Sequence, residues 1–116
     1  VLNNYAYYLS ERGEKLELAE QMSKKSIEFD PGNSSNQDTY GWILYKLNKL
    51  DEAKIWIEKS IQSGSENSAV VLEHYGDILY KLGDQDEAIK YWKKAKEIGE
   101  ASDFLDKKIK DGKLYE

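Results

Sequence analysis

A chain of 116 residues has room for one domain with a single core, and with no cysteine it has no disulfide, thiolate metal site or thiol nucleophile. Its net charge of −5 runs against the basic patch or stripe of a nucleic-acid binder. No apolar run approaches the roughly 20 residues that a membrane-spanning helix requires.

The chain repeats itself. Ala6, Gly41 and Gly76 stand 35 residues apart, and the phrase DEA recurs at 51–53 and 86–88 with the same spacing. Residues 40–47 read YGWILYKL and residues 75–82 read YGDILYKL, so one letter changes, Trp42 against Asp77. A fixed period of this length decides an architecture before any single residue does. It divides the chain into units at 1–33, 34–68 and 69–99, each carrying two helical patterns, and a tail.

The first unit opens with Leu2, Tyr5, Ala6 and Leu9, turns at ERGE (11–14), and continues through Ala19, Ser23 and Ser26 to the breaker DPGN at 30–33. Val1, Leu2, Tyr5 and Leu9 form an apolar stripe with nothing before it, so further units upstream are expected, or self-association through that end. In the second unit Tyr40, Leu44 and Leu47 share one helix face. NKLD (48–51) turns the chain into Ala53, Ile57, Ser60 and Ile61, and SGSENS (63–68) ends the unit. The third runs through Leu72, Tyr75, Gly76 and Leu79, turns at LGDQ (82–85), and returns through Ala88, Trp92, Ala95 and Ile98 to GEAS at 99–102. The tail, about 102–111, reads as a capping helix with Ser102 as N-cap and Asp103 and Asp106 in its first turns. Its apolar face is Phe104, Leu105 and Ile109, and Lys107, Lys108 and Lys110 suit the negative end of its dipole. Period-two alternation is absent, so the expected fold is all-α. Gly in mid-helix costs about 1 kcal/mol relative to Ala. Gly41 and Gly76 are therefore expected where a neighbouring helix comes close, with Ala19, Ala53 and Ala88 doing the same from the second helices.

Candidate chemistry is sparse. His74 is the only histidine, with Glu73 and Asp77 near it on the same helix. Two carboxylates and one imidazole in a single stretch complete neither a metal site nor a catalytic set, so His74 is expected at the surface. The acid pairs Asp51/Glu52 and Asp86/Glu87 begin second helices, where they complement the helix dipole, and Glu11/Glu14 is read structurally too. SGSENS lacks the lysine and preceding strand of a phosphate loop. KKIKDGK is interleaved with acids and reads as a solvated helix rather than a nucleic-acid contact. Neither catalysis nor a cofactor or metal is expected.

The small-residue spacing resembles the tetratricopeptide repeat: Tyr40, Gly41, Leu44, Ala53 and Ile57 in one unit, Leu72, Tyr75, Gly76, Leu79, Ala88 and Trp92 in the next, and Leu2, Tyr5, Ala6, Leu9, Ala19 and Pro31 in the first. The early Trp of the pattern is missing from all three units. The wording is similar to the C-terminal part of longer bacterial proteins of this kind. With Val1 rather than Met first, the chain is expected to be a trimmed fragment. Any targeting signal would lie upstream, which leaves cytoplasm and bacterial cell envelope both open. The resemblance implies three helix–turn–helix repeats stacked in a right-handed superhelix, an α-solenoid, whose first helices line a concave groove. Beside the packing stripe, the groove angle then holds Asp38, Trp42, Tyr45 and Lys46, and one unit later Glu73, Asp77, Tyr80 and Lys81. In the first unit it holds Asn3 and Tyr7 with Ser10 and Glu11. The lysine–asparagine–arginine set with which some members hold a peptide's terminal carboxylate is not matched, because the groove centre carries Tyr7, Trp42 and Asp77. The changed letter falls at the groove angle, so Trp42 is expected to be a partner-binding anchor, although aromatics at helical spacing also serve as core. The expected function is a non-catalytic module that binds a protein or peptide in the groove. The alternative is a structural segment of a longer solenoid whose groove packs on its own chain or on another copy.

Overall fold

The computed structural model describes residues 15–99 and 104–114. Six α-helices follow one another: α1 (Leu16–Phe29), α2 (Ser34–Lys46), α3 (Leu50–Ser60), α4 (Ala69–Lys81), α5 (Gln85–Ile98) and α6 (Leu105–Asp111). Among the described residues there is no strand, and the fold is all-α as the period-35 pattern implies. The expectations for Val1, Leu2, Asn3, Tyr5, Ala6, Tyr7, Leu9, the 11–14 turn, Ser102 and Asp103 lie outside the described residues. Each helix packs on the next, α1 on α2 through α5 on α6, and α2 also touches α4.

Local chemistry sets the helix ends. The Asn33 side chain accepts from the Asn36 N–H at 3.0 Å, Ser68 from Val71 at 3.3 Å, and Asp84 from Glu87 at 3.4 Å, so α2, α4 and α5 all start on a side-chain cap. Two helices stop alike. Asn48 (φ 63°) and Gly83 (φ 91°) adopt left-handed backbone just past α2 and α4. That lets Lys49 and Asp84 donate to the Leu44 and Leu79 carbonyls at 2.8 and 2.9 Å. Both bonds recover carbonyls that the helix end would otherwise strand. After α3 the chain widens into one π-turn, Ile61–Ser65, which ends as Gly64 takes φ 131°. Buried Ser60 ties this turn down, its hydroxyl donating to the Ser34 carbonyl at 2.7 Å and lying 2.9 Å from Ser65 Oγ.

The glycines in α2 and α4 are where helices nearly touch. A Cβ on Gly41 would lie 2.8 Å from Ile57 Cδ1, and one on Gly76 would lie 2.5 Å from Trp92 Cδ1. Ala53, Ile57, Ala88 and Trp92 are all fully buried at these contacts. The core runs from Ala19 and Ile43 at one end to Trp92, Ala95 and Leu105 at the other. Asp51, Glu52, Asp86 and Glu87 occupy first turns, as expected of acids near a helix N-terminus.

Gly76→Leu should therefore overpack the α4–α5 contact and cost about 1–3 kcal/mol in urea unfolding followed by circular dichroism. Gly32→Ala is the control, since a Cβ there meets nothing within 4 Å. Equal midpoints for both variants would show that the close approach does not constrain the pair.

Candidate functional site

The candidate site is the face shared by α2 and α4. Steps of four, three and one put Asp38, Trp42, Tyr45 and Lys46 along α2, and Glu73, Asp77, Tyr80 and Lys81 along α4. The side chains do not share one environment. Asp38, Trp42, Tyr45, Glu73 and Asp77 are buried, Lys46 and Tyr80 are half-buried, and Lys81 is exposed. Asn3 and Tyr7 lie outside the described residues.

Trp42 is only 7% exposed, so its ring packs as core, the alternative that aromatics at helical spacing leave open. Its ring stacks on Tyr45 at 4.5 Å and on His74 at 3.8 Å, each within 12° of parallel. Lys46 completes the layer, its ammonium 5.1 Å from the Trp42 ring centre. His74 is likewise not a surface residue. It is 7% exposed and its Nδ1 lies 3.0 Å from Asp38 Oδ1. The imidazole thus gives α4 both a stack and a polar contact with α2.

One repeat further on, the partner is a cation. Lys108 of α6 is 3% exposed. Its ammonium donates to Glu73 Oε2 at 2.7 Å and to Asp77 at 2.9 and 3.2 Å. Asp77 Oδ1 also accepts from Trp92 Nε1 at 3.0 Å. Burial pushes the Asp77 carboxyl up to about 6, against the downward pull of Lys108. Asp77 is thus the anchor of α6, and Lys108 points into the fold instead of merely complementing the end of its own helix.

These contacts explain the one letter that differs between the two copies. Trp42 faces the flat imidazole of His74, and Asp77 faces the ammonium of Lys108. The letter is matched to what the next element brings. The rule was present in the sequence, since His74 follows Asp38 by 36 residues and Lys108 follows Glu73 by 35. An acid on one helix with a base one period later is a signal for contact, and reading His74 within its own helix alone passes over it.

The accessible part of the face lies at the ends of α2 and α4. Tyr45, Lys46, Asn48, Leu50 and Lys81 line an open cavity of about 140 Å³ there. Tyr80 sits one residue before Lys81, its ring tilted over Trp92 at 5.9 Å. On the opposite flank, Tyr40 meets Trp56 and Tyr75 meets Tyr91 edge-on at 5.2 and 4.6 Å. Tyr75 also donates to Glu58 at 2.7 Å, and burial together with that acid pushes its hydroxyl pKa up. Among the described residues no three metal-ligating side chains gather into a cluster, and no helix is long and apolar enough to cross a membrane.

Family models described as tetratricopeptide repeat match residues 69–101 and 38–63, together just over half of the chain. No curated protein matches it in sequence. Similar solved structures include the first TPR domain of Spaghetti (RPAP3) bound to the HSP90 peptide SRMEEVD, with TM-score 0.84 and 16% identity over 97% of this chain and 87% of that one. The first TPR domain of human RPAP3 gives TM-score 0.85 and 16% identity over the same shares. The N-terminal domain of stress-induced protein-1 from C. elegans gives 0.68 and 20% over 97% of both chains.

Trp42→Ala should destabilise the fold by about 3–5 kcal/mol, the range for a buried Trp. A melting temperature unchanged from the parent would return the ring to the surface. The raised carboxyl of Asp77 sets the sign of a pH effect. The folded chain holds this proton more tightly than the unfolded chain does. Its contribution to stability is thus fully present below the ordinary value of 3.8 and is lost as pH rises through about 6. The shift is equivalent to about 3 kcal/mol. Asp77→Asn should remove this slope from denaturant midpoints measured across that window, and a parent-like slope in the variant would assign it to other groups.

Proposed function

The chain belongs to the tetratricopeptide repeat family, and on that premise we propose that it is a non-catalytic module whose α2–α4 face binds a protein or peptide partner. The observation that carries this reading is the repeated pair at the helix ends. Tyr45–Lys46 and Tyr80–Lys81 stand 35 residues apart on one face, with Lys46, Tyr80 and Lys81 reaching solvent beside the buried stack of Tyr45, Trp42 and His74. Aromatic and cationic side chains on a rigid base lose little freedom on binding, and rings of this kind are favoured anchors at interfaces. Trp42 serves this face from beneath, by holding Tyr45 and Lys46 in place. The face would run on toward Asn3 and Tyr7. A peptide bound by one of the similar structures supports the same use of the fold here.

A photo-crosslinking residue at exposed Lys81, compared with one at exposed Lys93 on α5, tests the reading in cells that express the chain. The Lys81 position should form an adduct with a partner polypeptide that the Lys93 position does not form. Tyr80→Ala should then weaken binding of that partner by at least about 1 kcal/mol, roughly fivefold. Adducts confined to the chain's own length would favour the alternative, a face that packs within a longer solenoid or against a second copy.

A further inference from the structure

We infer that the slot formed by Glu73, Asp77 and Trp92 is a receptor for one lysine on a partner's helix, and that α6 is the intramolecular competitor occupying it in the free chain. The inference goes beyond the binding role of the α2 and α4 helix ends and does not rest on it. The slot is built by α4 and α5, and its ligand is a cation.

Glu73 and Asp77 stand one helical turn apart on α4 and are 5% and 3% exposed. Trp92 of α5 steadies Asp77 by donating its Nε1–H to Oδ1 at 3.0 Å. The Lys108 ammonium meets Glu73 Oε2 at 2.7 Å, Asp77 Oδ1 at 2.9 Å and Asp77 Oδ2 at 3.2 Å, with the Trp92 ring centre 5.9 Å away. Three acceptor oxygens therefore surround one compact cation, and an ammonium has three donors to give them. A guanidinium spreads five donors over a rigid planar fork and would leave some of them unpaired in so closed a space. The slot thus selects lysine over arginine.

The present occupant is light. In α6 only Leu105 and Lys108 are buried, and the helix starts without a side-chain cap. Its pair with α5, Lys96–Asp106, is exposed. An element with so few buried side chains opens locally without unfolding the rest. Leaving two carboxylates buried and unpaired is costly, so the slot passes from one ammonium to another rather than standing empty. Leu105, Lys108 and half-buried Ile109 follow at steps of three and one on a single helix face. A partner helix with an aliphatic residue three before a lysine and another one after it reproduces that face. A longer helix adds contacts that α6 lacks. Because α6 is tethered, it competes at an effective millimolar concentration, which sets a threshold that weaker lysine-bearing helices do not cross.

The test uses the full chain, ¹⁵N-labelled. Hydrogen exchange in the parent should show the amides of 108–111 opening at least about tenfold more often than those of 76–79. Equal protection would overturn the proposal, because α6 would then leave only when the whole fold unfolds. The probe for the slot is an acetylated and amidated peptide of residues 104–114, with two further peptides carrying Lys108→Gln or Lys108→Arg. In the Lys108→Gln chain the parent peptide should shift the amides of 73–79 and the Trp92 indole N–H in a saturable way. It should bind the parent chain at least about tenfold more weakly, because α6 competes there. The glutamine and arginine peptides should bind the Lys108→Gln chain at least about tenfold more weakly than the parent peptide does. Equal binding of the three peptides, or no response at millimolar peptide, would overturn the receptor. The exchange measurement needs no variant and decides the proposal even where the Lys108→Gln chain does not fold.

Discussion

Trp92 fits against α4 only because Gly76 has no side chain, and much of the C-terminal half depends on that fit. With the indole seated, its Nε1 lies 3.0 Å from Asp77 and holds one carboxylate oxygen. Asp77 and Glu73 then form a slot that Lys108 enters, and Lys108 ties α6 to α4. A helix of seven residues is far too short to persist alone in water. Its order comes from Leu105 and Lys108 in the core, from Gln85 donating to the Gly112 carbonyl at 2.6 Å, and from the exposed pair Lys96–Asp106. A missing methyl group on α4 therefore lets α6 settle on the stack.

The same logic operates one repeat earlier with different chemistry. Gly41 admits Ile57 instead of an indole, and α4 reaches back to α2 with an imidazole in place of an ammonium. Buried ion pairs are weak sources of net stability, because desolvation offsets much of the attraction. The cost is visible here in the raised carboxyl of Asp77. What such pairs supply is register: His74 meets Asp38 and Lys108 meets Glu73, each about one period further along the chain. Each inner element is thereby matched to a single successor.

Rigidity of this kind bears on the binding role. A layer in which Trp42, Tyr45 and His74 are stacked and Asp38 is engaged has little freedom left to lose. On the proposed binding face, the side chains that reach solvent lie at the helix ends, where Asn48 and Gly83 turn the chain. The family provides the frame, and the similar solved structures, at 16–20% identity, speak for the fold rather than for any ligand. Recognition would be carried by positions that the frame leaves over.

The period of 35, the small residues at Gly41, Gly76, Ala53 and Ala88, and the breakers between helices were enough to determine an all-α repeat, because they act through local spacing and steric size. The resemblance that this spacing carries pointed to the α2–α4 face. It could not say which of its side chains reach solvent. On a helical wheel Trp42 and Lys81 lie at comparable angles, yet one is enclosed and the other exposed. The difference comes from residues more than 25 positions away: His74 covers Trp42, Lys108 covers Asp77, and among the described residues nothing comparable lies over Lys81. Burial depends on every element that packs against a position, and only the assembled stack brings those elements together.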